Sequence, residues 1–331
     1  MRHGNGPHCT RHWASCLLAA ALCAVLGGTA IADPIEVFVT PVPLDTADPA
    51  RNTVGSITYL GGVRLRSNNP SFGGLSGLWV GPTGHRAVAV TDQGAWFTAT
   101  IAYDEDRRLL GLADTAITAM LGIDDLPLLP PWSDAESIVV SDGRLYVAFE
   151  RENRLYRYGV PDAPWTVTPE WLPLPEEIAA GPRNGGMEAI TDLGDGRLLA
   201  FSEGIPRGDG LAAWILEDDV AAKLTLTSKD GFLPTGAATL SNGDVLLLER
   251  RFSFLGGFAA RIRRISRADI APGAVLTGEE IATLMPPLTT DNFEALSVVP
   301  LIDGGSLVFL LSDDNFSALQ RTLLLMFRLS E

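Results

Sequence analysis

Acidic residues recur in this chain at two fixed places relative to short apolar runs. Carboxylates placed this way can hold a hard cation or serve as general acids and bases. The first place opens an apolar run: Glu136 in Asp134-Ala-Glu136-Ser-Ile138, Glu188 in Asn184-Gly-Gly-Met-Glu188, and Glu294 in Asn292-Phe-Glu294-Ala-Leu296. The second follows the next apolar run: Asp92, Glu150, Glu203, Glu249 and the pair Asp313-Asp314. All-oxygen donors drawn from several segments suit Ca²⁺. Like charges brought together without a cation are unfavourable, so convergence of these acids would itself call for a metal or a cationic ligand. The blander alternative is that they accept backbone N–H bonds where repeats meet, or belong to a solvated acidic surface. Arginines stand beside them: Arg183 before Asn184, Arg250 and Arg251 after Glu249, and Arg321 shortly after Asn315. A planar guanidinium matches phosphate or carboxylate, although each of these could equally pair with a repeat acid.

The elements that must position these groups are hairpins. Met187–Leu193 and Arg197–Phe201 are apolar runs joined by Gly194-Asp195-Gly196, and an Asp-Gly turn between such runs is a strong hairpin signal. The unit recurs around Ser141-Asp142-Gly143, Ser241-Asn242-Gly243, Asp303-Gly304-Gly305 and Gly81-Pro-Thr-Gly84. With residues 76, 136, 188, 236 and 294 as anchors, the intervals are 60, 52, 48 and 58 residues. Two hairpin strands repeated at this period describe a β-propeller. Arg154–Val160 and Leu211–Leu216 read as outer strands, Ala113–Leu121 as a short surface helix, and Trp165–Pro175 as a Pro-rich loop. Ser56–Leu65 and Thr322–Leu329 are strand patterns near the two ends, suited to completing one blade together and removing the sheet edges. Five internal units plus that composite predict an all-β propeller of six four-stranded blades, closed by the terminal strands.

Residues 1–32 read as a secretory signal peptide, with Arg2 and Arg11, the apolar run Leu17–Leu26 and the cleavage site Ala30-Ile31-Ala32. A single propeller domain is expected over residues 33–331, periplasmic or secreted, with no membrane span once the leader is removed. Cleavage takes Cys9, Cys16 and Cys23, the only cysteines, along with His3, His8 and His12. Thiol chemistry, disulfides and haem attachment are thereby excluded, and zinc or copper sites have only His85 to draw on. Removal of Arg2 and Arg11 lowers the 25 basic residues to 23 against 40 acids, a net charge of −17. Such a chain is unsuited to nucleic acid, whose binding rests on neutralising phosphates. The Gly74-Leu-Ser76-Gly-Leu78 segment lacks the last glycine of a nucleophile elbow, and there is no H-E-x-x-H, P-loop or G-x-G-x-x-G.

Three segments carry a resemblance. Pro234-Thr-Gly-Ala-Ala238 with Leu240 to Phe252, Asn292-Phe-Glu294-Ala-Leu296, and Leu311-Ser-Asp-Asp-Asn-Phe316 through Gln320-Arg321-Thr-Leu323 resemble the phytase-like propeller family labelled "esterase-like activity of phytase". Gly236 departs from the Pro-Thr-Asp-Ala pattern of that family. The resemblance covers about Tyr59 to Leu329. It implies a β-propeller, export, and hydrolysis of a phosphate or carboxylate ester. By matched motif it points to Glu136, Glu188, Glu249, Arg250, Glu294, Asp313, Asp314, Asn315 and Arg321. The expected assignment places Glu136, Glu188, Glu294, Asp313 and Asp314 on Ca²⁺. Glu188, Glu294, Arg250 and Arg321 are expected in catalysis, and Arg183, Asn315 and Glu249 in binding a small ester or phosphate substrate. The rival readings are a non-catalytic envelope-binding propeller and a Ca²⁺-dependent lactonase.

Overall fold

A computed structural model describes residues 1, 32–217 and 220–330. The proposed signal peptide lies outside these residues except at Met1 and Ala32, as do the three cysteines. Among the described residues the strands form five antiparallel sheets arranged as propeller blades. Blade 1 is built from Leu75–Val80, Arg86–Thr91, Ala95–Tyr103 and Leu109–Ala119, with Asp33–Pro34 at its outer edge. Blade 2 contains Ala135–Ser141, Arg144–Phe149, Arg154–Arg157 and Glu170–Leu172. Blade 3 contains Met187–Asp192, Leu198–Arg207, Gly210–Glu217 and Val220–Thr227, with Val275–Leu276 added in parallel. Blade 4 contains Leu233–Thr239, Val245–Ser253, Gly257–Ile265 and Glu279–Leu284.

Blade 5 corrects the expected count. Its inner strands, Phe293–Pro300 and Gly305–Ser312, were the fifth hairpin unit. Thr322–Ser330 and Ile57–Arg66 then follow in the same sheet, and Phe38–Pro41 lies outermost. The terminal strands are therefore the outer half of the fifth unit and not a sixth blade. The two ends of the chain do close one blade, as expected: Leu324 faces Val63 and Leu329 faces Ile57. The segment expected as a helix, Ala113–Leu121, instead supplies most of blade 1's fourth strand. Its Thr115, Ile117 and Thr118 suit a strand, and it pairs with Ala95–Tyr103 on one side. Part of the Pro-rich loop, Glu170–Leu172, is likewise an outer strand.

Apolar side chains fill the five interfaces between neighbouring blades. Val88 and Trp96 meet Phe149 and Tyr158 between blades 1 and 2. Leu155 meets Trp214 between blades 2 and 3, and Phe201 meets Leu247 between blades 3 and 4. Leu248 meets Leu310 between blades 4 and 5, and Phe309 meets Phe97 between blades 5 and 1. Successive side chains on a strand point to opposite faces. Leu246 and Leu248 therefore serve one interface while Val245 and Leu247 serve the other. A strand buried on both faces must be apolar throughout, which explains the unbroken Val245-Leu-Leu-Leu248.

Around the axis the five inner strands are tied to one another by short polar side chains. Val80 N–H donates to Ser297 Oγ at 2.9 Å, and Ile190 N–H donates to Ser137 Oγ at 3.1 Å. Thr239 Oγ1 donates to Asp192 O at 2.6 Å, and Thr235 Oγ1 donates to Phe293 O at 3.0 Å. Between blades 1 and 2 the strands approach through Gly77, where a Cβ would stand 2.5 Å from Ile138 N. That neighbour is backbone and cannot swing away. Gly77→Val should therefore lower thermal stability by about 3 kcal/mol through overpacking. Gly143→Ala, in an open turn at φ +72° with nothing within 4 Å, should cost only about 1 kcal/mol. Equal losses in the two melting curves would show that the axial contact is looser than drawn.

Candidate functional site

Each inner strand carries a one-residue bulge where it begins. In blades 2, 3 and 5 the extra residue is Glu136, Glu188 and Glu294 respectively. In blade 4 it is Thr235, and in blade 1 the irregularity takes in Ser76 and Gly77. A bulge re-aims a side chain out of the regular alternation. Here Ser76, Glu136, Glu188 and Glu294 line an axial cavity of about 300 Å³. The blade 4 counterpart of the acids is thus Thr235, one residue before the expected Gly236, and its hydroxyl is turned onto Phe293 O.

The cavity is completed from the end of the second strand of each blade, with Asp92, Glu150, Arg151, Glu203, Arg250, Asp313 and Asn315 on its wall, joined by Asp134, Asn184 and Gly185. Eight carboxylates face two guanidiniums. Carboxylate oxygens of Asp134, Glu136 and Glu150 come within 4.8 Å of one another. Asp134 also pairs with Arg151, and Glu150 Oε1 accepts from Gly185 N–H. Across the cavity Arg250 Nη2 donates to Glu203 Oε2 at 3.3 Å. Its Nε stands 3.3 Å from Glu294 Oε1 but is not aligned for a hydrogen bond, and is otherwise buried without a partner.

This crowding governs protonation. Burial, and then the neighbouring charges of Asp134, Glu150, Glu294 and Asp313, push Glu136 well above the usual carboxylate range. Glu188 is raised in the same way by burial and by Glu136 and Glu150. Burial raises Glu294 to about 7 although Arg250 pulls the other way. Asp313 rises to about 8, chiefly by burial, against the Asn315 N–H bond that favours its charge. Asp92 rises to about 6 through burial and Asp134, and its Oδ1 has no hydrogen-bond partner. Burial alone would lower Arg250, but Glu294, Glu203, Glu188 and Glu136 together hold it above its ordinary value.

Several expected site residues are placed elsewhere. Glu249 lies on the other face of its strand from Arg250 and is buried inside blade 4. There Arg261 Nε reaches it at 2.7 Å and Arg263 at 2.5 and 2.9 Å, so it is not available to a substrate at the mouth. Arg321 is occupied by Asp291 at 2.8 Å and Thr290 O at 2.8 Å, outside the cavity wall. Asp314 caps its own loop, accepting from Gly74 N–H, Phe316 N–H and Thr322 Oγ1, each at 3.1 Å. Arg183 is exposed and does not line the cavity, whereas Asn315 sits on its rim. Asp92, Asp134, Glu150 and Glu203 were not assigned to the site in advance. Three of them stood in the recurring second position, the signal that identifies them.

All-oxygen donors at close range, an unpartnered Asp92 oxygen and carboxyls forced to retain protons together fit a hard divalent cation. In the cation-free protein these acids bind protons in the folded state at pH values where the unfolded chain has released them. Stability then falls as pH rises, since ν_N exceeds ν_U. Between roughly pH 5 and pH 8, the window set by Asp92, Glu294 and Asp313, the melting temperature in chelator should decrease with rising pH. Millimolar Ca²⁺ should remove most of that slope. A melting curve insensitive to pH and calcium alike would mean that the acids do not repel one another in the cavity. Glu249→Gln, by contrast, should destabilise by about 3 kcal/mol at any pH, because it leaves two buried arginines short of their counter-charge.

None of the curated proteins matches this chain in sequence. Among solved structures, the PQQ-bound aldose sugar dehydrogenase of Streptomyces coelicolor aligns at 14% identity and TM-score 0.38, over 89% of this chain and 99% of that one. The gluconolactonase XC5397 of Xanthomonas campestris aligns at 10% identity and TM-score 0.40, over 91% and 98%. Similarity this low carries no conclusion about chemistry. The family profile is decisive instead: it matches residues 70–316, well over half of the 331 residues, and takes in all five inner strands and every acid of the cavity. The chain belongs to the phytase-like family described as "esterase-like activity of phytase".

Proposed function

We propose that the axial cavity is the active site of an exported hydrolase that cleaves a phosphate ester or related ester with the help of a hard divalent cation, calcium by donor type. The observation that carries this reading is the convergence of eight carboxylates with Arg250 in one cavity of about 300 Å³. Family membership supports ester hydrolysis as the reaction class. Asp134, Glu136, Glu150 and Asp92 would hold the cation; Asp313, on the wall nearby, could complete the set. When bound, such a cation polarises the ester oxygen and makes an attacking water more acidic.

The remaining tasks fall to the chain itself. Arg250 is positioned by Glu203 and Glu294 so that its guanidinium faces the cavity, where it can take anionic oxygens of the substrate and stabilise charge developing there. Glu294, with its acidity near neutral pH, can accept a proton from water and return it to the leaving group. Glu188, which hydrogen-bonds Glu150, holds a second proton close by. Asn184 and Asn315 at the rim offer uncharged polar contacts. Passage through a signal peptide at residues 1–32 and a periplasmic or secreted location belong to the same proposal. Among the described residues no helix is long and apolar enough to cross a membrane.

The test is hydrolysis of phosphate monoesters, carboxylic esters and lactones by the purified protein, with chelator and with added Ca²⁺. Calcium-dependent turnover of an ester is expected. Opening of lactones alone would favour the lactonase, and a folded, calcium-binding protein inert on every ester would be a binding propeller. Arg250→Lys and Glu294→Gln should each lower kcat/KM by about 100-fold or more. Removing one acid from the crowd should leave the melting temperature of the cation-free Glu294→Gln protein unchanged or higher. Unfolding of that variant would instead give Glu294 a structural role.

A further inference from the structure

Large exposed apolar side chains stand beside the mouth of the cavity, most of them over blades 4 and 5. Inner strands begin at the mouth and run away from it. The turn between second and third strands, and the connection into the next blade, therefore both lie on the mouth face. In blade 4 this turn is Ser253-Phe254-Leu255-Gly256, reached directly from Arg250 through Arg251 and Phe252. At the usual strand rise, Phe254 projects roughly 13 Å beyond Arg250. Phe254 is 98% exposed and Leu255 103% exposed, with the Phe252 and Phe258 rings in tilted contact at their base, 4.9 Å between centroids. In blade 5 the corresponding loop runs from Asn315 on the cavity rim to Leu319, which is 95% exposed. The connection from blade 1 to blade 2 adds exposed Leu129 and Trp132 just before Asp134.

Over blades 2 and 3 the exposed rim residues include Arg151, Arg183, Asn184 and Asp209, with no large apolar side chain at the turn tips among the described residues. On the opposite face most tips of the inner hairpins are Ser-Asp-Gly, Gly-Asp-Gly and Ser-Asn-Gly, while Ile302, Val160 and Val220 are the exposed apolar residues of its turns. Turn tips ordinarily take such small polar residues. Adjacent Phe and Leu at a tip carry a solvation cost that the turn itself does not require. Large apolar side chains gathered beside a polar cavity mark a surface that is covered in use.

We infer that the substrate is an amphiphile. Its ester head enters the carboxylate–Arg250 cavity, while an alkyl or aryl tail lies across the blade 4 and blade 5 rim. This rests on the proposed ester chemistry and narrows its substrate class. A uniformly polar inositol phosphate would leave these apolar side chains exposed to water.

Phosphonates report on the rim without requiring turnover. Calorimetric titration of methylphosphonate and octylphosphonate, below micelle-forming concentration and with saturating Ca²⁺, should show octylphosphonate binding at least about tenfold more tightly. Each methylene taken from water is worth about fourfold in affinity, so covering two of them suffices. In the Phe254→Asp/Leu255→Asp protein the advantage should fall below about threefold while methylphosphonate affinity stays the same. These side chains are at an exposed tip, so the melting temperature should not change. Equal binding of both phosphonates by the unaltered protein, or a chain-length advantage that survives the double substitution, overturns the amphiphile inference but leaves the ester site standing. Failure of both phosphonates to bind overturns the ester site as well.

Discussion

Eight carboxylates set around one axis with only two guanidiniums among them are the constraint to which the rest of this molecule answers. Crowded acids repel, and burial denies them the water that would screen the repulsion. The cation-free protein moderates the cost by leaving several of them protonated near neutral pH, most evidently Glu294 and Asp313. The opposing stabilisation comes from outside the cavity. Five apolar interfaces, one for each pair of neighbouring blades, hold the inner strands in a ring that the acids alone would push apart. Closure of blade 5 by Ile57–Arg66 against Thr322–Ser330 makes that ring continuous.

The bulges convert a repeated sequence into a site. A regular inner strand would send alternate side chains toward its two neighbouring blades along its whole length. One inserted residue at the start of the strand instead turns Glu136, Glu188 or Glu294 into the mouth, while the residues after it return to packing against the next blade. Ala189 and Ala237, one and two positions later, pack into the interface between blades 3 and 4, and Ala295 into that between blades 5 and 1.

Much of this was legible in the sequence, and the failures have physical causes. Hairpins announced themselves because turns such as Asp142-Gly143 need positive φ at both positions, here +48° and +72°. The acids announced themselves by recurrence. Blade count was misread because the two halves of blade 5 are joined by pairing between distant parts of the chain, which no local pattern records. The strand over Leu109–Ala119 was missed because it lies at the outer edge of its blade with one face open, where alternation is weak. Glu249 and Arg250 show the limit most sharply. They are adjacent in sequence and equally polar, yet strand alternation buries one among Arg261 and Arg263 and delivers the other to the cavity. The motif names both, and only the register tells them apart. Arg321 failed for a different reason: its partner Asp291 lies in the connection from blade 4 to blade 5, two strands earlier, a pairing invisible without the fold.

The repeat is also broken where function requires it. A ring with an acid at every first position would be a uniformly negative well, able to hold cations and little else. Blade 4 substitutes Thr235 for the acid and directs its hydroxyl to the neighbouring backbone, and it then supplies Arg250 from its second strand. Blade 1 substitutes Ser76. The result is polarised: Asp134, Glu136 and Glu150 gather at blade 2, and Arg250 of blade 4 is held between Glu203 and Glu294. Under the proposed reading, the acids that would take a cation face the guanidinium that would take an anion across one cavity, the arrangement needed to hold an ester at two oxygens and not merely a metal. Loss of the fivefold pattern at blade 4 is thus the step by which a structural repeat becomes a site with a direction, and the apolar tip continuing from Arg250 extends that direction outward over the rim.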